Sequence, residues 1–275
     1  MFADLHLHST YSDGLYSPDL LCQRAVAGGL SLLSITDHDT LAGLEIKRSS
    51  AEKYGLSYVS GWEISAYAGD RKIHVLGYGC QADSRYEEFM NARKQAAFER
   101  AKDSVEKFRA LGIPVTYEEV LARRSAPDLP VHTMHVARAV VPYLGMNEGE
   151  VYRQYLNIGK PANSNIGRPT PKQAIDCIHE TGGIAVIAHP GRIDLSFAER
   201  ETLLKELLCY GADGIECVYT THTNEETEYF RALAREHGAL ITGGSDTHYD
   251  DETHTVGYPR FTPSEELLER LKISL

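Results

Sequence analysis

The feature that most constrains this chain is an alternation. Short apolar runs at 2–7, 30–35, 58–65, 72–78, 183–190, 214–219 and 240–248 are separated by stretches carrying helix signals. Ser17 before Pro18 is an N-cap followed by a first-turn proline. Leu20, Leu21, Ala25 and Val26 then form an apolar stripe that Gly28 and Gly29 end. Further helices are expected over 40–54, 170–180, 196–210 and 225–237, and after Pro263. About seven apolar strands alternating with helices argue for an α/β fold with a parallel barrel rather than two sheets.

The rhythm changes over about 83–168. That stretch is polar and helical, with one long helix expected over 85–111, shorter ones at 117–124 and 132–144, and a weaker one at 149–158. It reads as a helical insertion into a single domain spanning 1–275, and the sequence leaves open whether it is a lid or a docking surface.

Composition narrows the function classes. A net charge of −11 argues against a general nucleic-acid-binding surface, so no nucleic-acid polymer is expected as partner. A small anionic substrate would need a local positive site. Cys22, Cys80, Cys177, Cys209 and Cys217 form no CxxC pair and are odd in number, which speaks against a disulfide framework and for a reducing cytoplasm. No apolar run reaches the ~18 residues of a membrane span, and no basic start leads into an apolar segment, so neither membrane nor signal peptide is expected.

The strand ends carry the chemistry. His6 and His8, two apart on a strand, project to one side, and Asp13 can return to them on a loop closed by Gly14. Asp37, His38 and Asp39 end the second run, Glu63 lies near the end of the third, and His74 lies within the fourth. His189 ends the fifth, and Asp246 and His248 end the last. One buried histidine can be an ordinary hydrogen-bonded core residue, and one aspartate can cap a helix. Six of the 12 histidines meeting carboxylates at strand ends point instead to metal ligation.

These motifs, HLHS with Asp13, TDHD at 36–39, Glu63 in GWE, His74, AHP at 188–190 and SDTH at 245–248, resemble the PHP (polymerase and histidinol phosphatase) family. They occur in the family's order, and closest in look are bacterial stand-alone phosphoesterases acting on nucleoside monophosphates and 3′,5′-bisphosphates. The resemblance implies a distorted (β/α)7 PHP barrel with a helical insertion and two or three divalent ions, Mn, Fe or Zn. It implies one metal on His6, His8, Glu63 and Asp246, a second on Glu63, His74 and His189, and a third on Asp13, His38 and His248. Asp37 and Asp39 would orient His38 or its loop.

The reaction expected is hydrolysis of a small phosphorylated metabolite, with a metal-bridging hydroxide attacking phosphorus. Three divalent ions set against Glu63, Asp13, Asp246 and one hydroxide leave a positive balance of about two charges, matching a phosphate dianion. Arg192, just past His189, is expected to bind phosphate and stabilise its developing charge, and Arg168 to anchor substrate. His222, at a strand end without a metal role, would bind phosphate or protonate the leaving oxygen. His135 and Arg138 fall where close relatives carry Arg-x-His-x-Ala-Arg. Thr133 replaces the first arginine, which puts substrate preference in doubt.

Alternatives within the class are a cyclic phosphodiester or a sugar phosphate. Outside it stand an amidohydrolase, which would commonly show a bridging lysine at a strand end, and a non-catalytic metal- or nucleotide-binding regulatory module.

Overall fold

A computed structural model describes residues 1–124, 131–249 and 254–273. The chain divides into two compact units, one of 1–68, 72–86 and 169–275, the other of 69–71 and 87–168.

The chain opens with β1 (Ala3–Leu7), α1 (Pro18–Ala27), β2 (Leu32–Ile35), α2 (Leu44–Lys53), β3 (Ser57–Tyr58), β4 (Gly61–Ala68) and β5 (Arg71–Tyr78). The Ser17 hydroxyl accepts from the Leu20 N–H, as the cap pattern requires. Every residue of β1 and β2 is buried, which explains why these strands are nearly continuous apolar runs.

The second unit takes most of α3 (Ser84–Ala110) together with α4 (Tyr117–Leu121), α5 (Thr133–Leu144) and α6 (Glu148–Val151), which runs into a π turn at Tyr152–Leu156. Over 87–168 it contains no strand among the described residues. Its core is its own, with Val105, Phe108, Val115, Val120, Val136 and Val140 among its buried members.

The first unit resumes with α7 (Pro171–Glu180), β6 (Ile184–Ile187), α8 (Phe197–Cys209), β7 (Gly214–Tyr219), α9 (Asn224–Glu236), β8 (Leu240–Gly244) and α10 (Glu265–Arg270). Capping boxes start three of these helices, pairing Thr170 with Gln173, Ser196 with Glu199 and Thr223 with Glu226.

The strands form two sheets, ordered β1-β2-β3 and β4-β5-β6-β7-β8. The first is parallel, and β6, β7 and β8 are parallel, but β5 runs antiparallel to β6. The α/β alternation expected from sequence is present, but the two sheets are not closed into the expected distorted (β/α)7 barrel, and β5 breaks the expected parallel arrangement. The apolar run at 58–65 is not one strand. Val59 still donates to Leu33 O, then the chain crosses to the other sheet at Gly61, where a Cβ would stand 2.5 Å from Ser34 Oγ. The two residues between β4 and β5 allow only an antiparallel return. Isolated bridges join the sheets at Leu7 with Thr247 and at His38 with Glu63. Leu7 ends β1, and Thr247 and His38 follow the ends of β8 and β2, but Glu63 is the third residue of β4 rather than near its end as expected. Gly244 makes the first junction possible, since a Cβ there would meet His6 N at 2.6 Å. No helix of the described residues is long and apolar enough to cross a membrane.

Candidate metal centre

The two junctions between the sheets are where the site is built. His8 N donates to Thr247 O at 3.0 Å and Asp246 N to His6 O at 2.8 Å, which fixes the end of β1 beside the segment after β8. Across the other junction, Asp39 N donates to Glu63 O at 2.8 Å, and the Ser65 N–H donates to Asp39 Oδ1. The loop from Ser9 to Gly14 is closed by Gly14 N donating to Ser9 O. A Cβ on Gly14 would lie 2.2 Å from His8 O, so only glycine fits. Asp39, His189 and Asp246 have φ of +56°, +26° and +55°. Side chains rarely adopt that region, and such strain gathers at functional sites.

Glu63, fully buried on β4, is the centre. Its Oε2 lies 3.3 Å from His6 Nε2, 3.3 Å from His8 Nε2 and 2.9 Å from His38 Nδ1. Its Oε1 lies 2.6 Å from His74 Nδ1 and 2.9 Å from His189 Nε2. Asp246 Oδ1 completes one group, 3.3 Å from His6 Nε2 and 3.0 Å from His8 Nε2. Asp13 is more open, with His248 Nε2 at 3.3 Å, His38 Nε2 at 3.8 Å and His8 Nδ1 at 3.9 Å.

Three clusters have the donor set for a metal: His6, His8, Glu63, Asp246; His8, Asp13, His38, His248; and His38, Glu63, His74. The first coincides with the set expected from sequence. The second adds His8 to the expected trio. In the third, His38 stands with Glu63 and His74, while His189 Nε2 shares Glu63 Oε1 with His74 and lies 3.2 Å from His74 Nδ1.

The electrostatics favour a cation here. Burial opposes charge on Glu63, but His74, His6 and His38 hold its carboxyl well below the usual range. Burial likewise opposes charge on His6, yet Glu216, Asp246 and Glu63 raise its pKa well above normal. Burial wins at His74, pushing it down to about 4 despite Glu63. The decisive observation is a set of orphaned atoms. His6 Nε2, both ring nitrogens of His8, His38 Nδ1, Glu63 Oε2 and Asp246 Oδ1 are buried and make no hydrogen bond among the described residues. Each such atom costs about 1–3 kcal/mol unless something else satisfies it. Donors held at about 2.1 Å from one ion and at right angles stand about 3 Å apart, close to the separations in the first cluster. The residues fit a metal.

Arg192 Nη1 donates to Asp246 Oδ2 and to Tyr219 Oη, both at 3.1 Å, while 55% of the side chain stays exposed. Tyr219 in turn donates to Asp246 Oδ2 at 2.8 Å. That leaves Asp246 Oδ1 for the histidines. His222 corrects an expectation. Its Nε2 accepts from Gly191 N–H and its Nδ1 bonds Cys217 O, each at 3.0 Å, and burial lowers its pKa. It braces the turn that carries Arg192 and has no ring nitrogen left to hand over a proton. The other expected substrate residues lie in the second unit and are engaged there. Arg168 donates to Asn163, His135 Nδ1 accepts from His132 N–H, and Arg138 pairs with Glu148.

The sequence reading missed Glu216, Tyr219 and Lys47. Glu216 had a signal, a carboxylate inside an otherwise apolar strand, the same pattern that singled out Glu63. Lys47 had none, because a helical lysine ordinarily faces water. It is fully buried and reaches Asp37, whose oxygens also accept from Ser9 N, Ser9 Oγ and Ser12 Oγ. Asp37 therefore holds the loop at 9–12 after β1, rather than His38 or its loop as expected.

A family model described as PHP domain matches residues 4–129. A protein of Haemophilus influenzae named 5′-3′ exoribonuclease is 32% identical over 90% of this chain and 89% of its own length. A 3′,5′-nucleoside bisphosphate phosphatase of Chromobacterium violaceum is 31% identical over 90% of this chain and 88% of its own. The chain belongs to the PHP family. This PHP chain also superposes, with a TM-score of 0.71 and 30% identity, on a C. violaceum structure described as an amidohydrolase with bound sulfate and no metal. The match covers 98% of this chain and 96% of that one.

Proposed function

We propose that this PHP protein is a metal-dependent phosphoesterase acting on a small phosphorylated metabolite, first a nucleoside monophosphate or a 3′,5′-bisphosphate. The observation that carries the reading is the convergence of orphaned histidine and carboxylate atoms on Glu63, with Arg192 at its margin. The bisphosphate phosphatase among its relatives and the sulfate in its structural neighbour support the same chemistry.

Two or three divalent ions are proposed, one held by His6, His8, Glu63 and Asp246, one by Glu63, His74 and His189, and one by Asp13, His38 and His248 with His8 beside them. An all-nitrogen-and-oxygen donor set suits Mn, Fe or Zn. When bound, the ions would neutralise phosphate charge and lower the pKa of water toward ~7. The protein's own groups do the rest. Arg192 Nε and Nη2 make no hydrogen bond to the described residues and can pair with phosphate oxygens, while Nη1 keeps Asp246 in place. Burial of the donor cluster excludes bulk water and strengthens these interactions. With His222 committed to the backbone, solvent is assigned as proton source for the leaving oxygen.

The test is phosphate release by Mn²⁺-reconstituted protein, with His189→Ala as control. The panel holds mononucleotides, 3′,5′-bisphosphates, cyclic phosphates and sugar phosphates. The exoribonuclease relative adds a 5′-phosphorylated oligoribonucleotide, and the neighbour's name adds amide substrates. Turnover of a nucleotide by the wild type and not by the variant is expected. A metal-loaded protein inert on every phosphate ester would end the reading.

A further inference from the structure

Glu216 is fully buried in the middle of β7, among Ile215, Cys217 and other apolar strand residues. Both of its carboxylate oxygens are occupied, and neither faces a donor atom of the clusters directly. Its Oε1 lies 2.9 Å from His6 Nδ1. Its Oε2 accepts the backbone N–H of His189 at 2.7 Å. An ionised carboxylate can only accept, so His6 must carry its proton on Nδ1. Its Nε2 lone pair is thereby committed to the space it shares with Glu63 Oε2 and Asp246 Oδ1, each 3.3 Å away. The second contact acts on backbone. His189 sits at φ +26°, a conformation a side-chain-bearing residue holds only when its surroundings impose it. In that conformation its Nε2 reaches Glu63 Oε1 at 2.9 Å.

We propose that Glu216 is a positioning residue that sets two separate metal positions at once, fixing the His6 tautomer for one and the His189 backbone for the other. The inference rests on the metal-centre reading above and deepens it, because one side chain outside the donor clusters then governs both sets. Glutamine tests it sharply. An amide has one acceptor oxygen and one NH₂ donor. Whichever way it turns, either the His6 N–H or the His189 N–H faces another donor. His6 could escape by moving its proton to Nε2, which removes the lone pair a metal needs.

The experiment is calorimetric titration of metal-free wild type and Glu216→Gln with Mn²⁺, alongside thermal unfolding of both metal-free proteins. The expected result is Mn²⁺ affinity lowered about 10–100-fold in the variant, with metal-free unfolding temperatures nearly matched. Equal affinity in the two proteins overturns the role of Glu216 and leaves the metal reading standing. A wild type that binds no Mn²⁺ overturns both. Should the variant fail to fold, ¹⁵N-histidine NMR of Zn²⁺-loaded wild type decides the matter, since His6 must then be protonated on Nδ1. An Nε2-protonated His6 overturns the proposal.

Discussion

Lys47 Nζ lies 2.6 Å from Asp37 Oδ2, and both side chains are fully buried. Burial lowers the lysine's pKa against the pull of its partner. Burial also opposes charge on Asp37, but Lys47 and the hydroxyls of Ser9 and Ser12 keep its carboxyl below the usual range. The pair lies under the loop that bears His8 and Asp13. Lys47→Met leaves Asp37 charged, buried and without its counter-ion, a change that costs about 3–5 kcal/mol in buried pairs. Urea unfolding of the metal-free protein should show that loss, and wild-type stability in the variant would contradict it.

Tyr219 and Arg192 share one oxygen of Asp246, and their removal should be felt differently. Tyr219→Phe keeps the ring and deletes a hydrogen bond to a charged group, worth about 1.5–3 kcal/mol. Metal affinity should therefore fall roughly tenfold or more with the fold intact. Arg192→Ala should cost about 10²–10³ in kcat, the scale for losing a donor aimed at developing charge. Lysine should restore only part of it, since a point charge cannot replace the fork. Steady-state kinetics and metal titration on the two variants separate these roles.

His222 distinguishes a brace from an acid. Its two hydrogen bonds to Gly191 N and Cys217 O should make His222→Phe lose about 1–3 kcal/mol of stability, at ~1 kcal/mol per bond. Activity should fall because the Arg192 turn loosens, yet the pH dependence of kcat should keep its shape. Loss of the basic limb in the variant would instead identify His222 as the proton donor.

Away from the site, Asp213 links three elements. It accepts from Ala185 N, pairs with His179 of α7 and receives Arg270 of α10. Burial raises its pKa, but the Ala185 N–H, His179 and Arg270 outweigh it and the net shift is downward. A depressed folded pKa means its contribution is complete above the unfolded value, roughly 3.9. That contribution disappears as pH falls through the lower folded value. Asp213→Asn should thus be less stable than wild type by about 1–3 kcal/mol at pH 7, with the gap closing in acid. Denaturant unfolding between pH 7 and pH 2 gives the curve.

The strand-end residues were legible because a charged or imidazole group closing an apolar run has few inexpensive explanations, and His6, His8, Glu63 and Asp246 duly meet within hydrogen-bonding distances. The Thr170 cap of α7 emerged only in the structure, whereas the first helix was legible from its Ser17 cap and Pro18. Sheet connectivity was not. The run at 58–65 reads as one strand from its sequence, and periodicity says nothing about Gly61 changing sheets or β5 reversing direction. Lys47, Tyr219 and the two bonds of His222 were hidden for another reason. Tyr219 with Asp246 and His222 with Gly191 depend on residues far away in sequence, Asp37 and Cys217 lie nearer, and residue type alone favoured a different role for each.

Chelation tests the centre as a whole. With no ion bound, His6 Nε2, His8 Nε2, Glu63 Oε2 and Asp246 Oδ1 stay buried and unsatisfied, so the metal-free fold carries their cost. An ion that binds only the folded chain stabilises it by about 2.7 kcal/mol at a hundredfold excess over Kd. For a chain of this size that is a shift of roughly 5–10 °C. Thermal unfolding in EDTA and then in excess Mn²⁺ should differ by that amount. The increment should shrink in Asp246→Asn, where one ligand charge is lost while the Tyr219 contact can persist. An unfolding temperature indifferent to both chelator and Mn²⁺ would mean that these orphaned atoms are satisfied by something other than a metal.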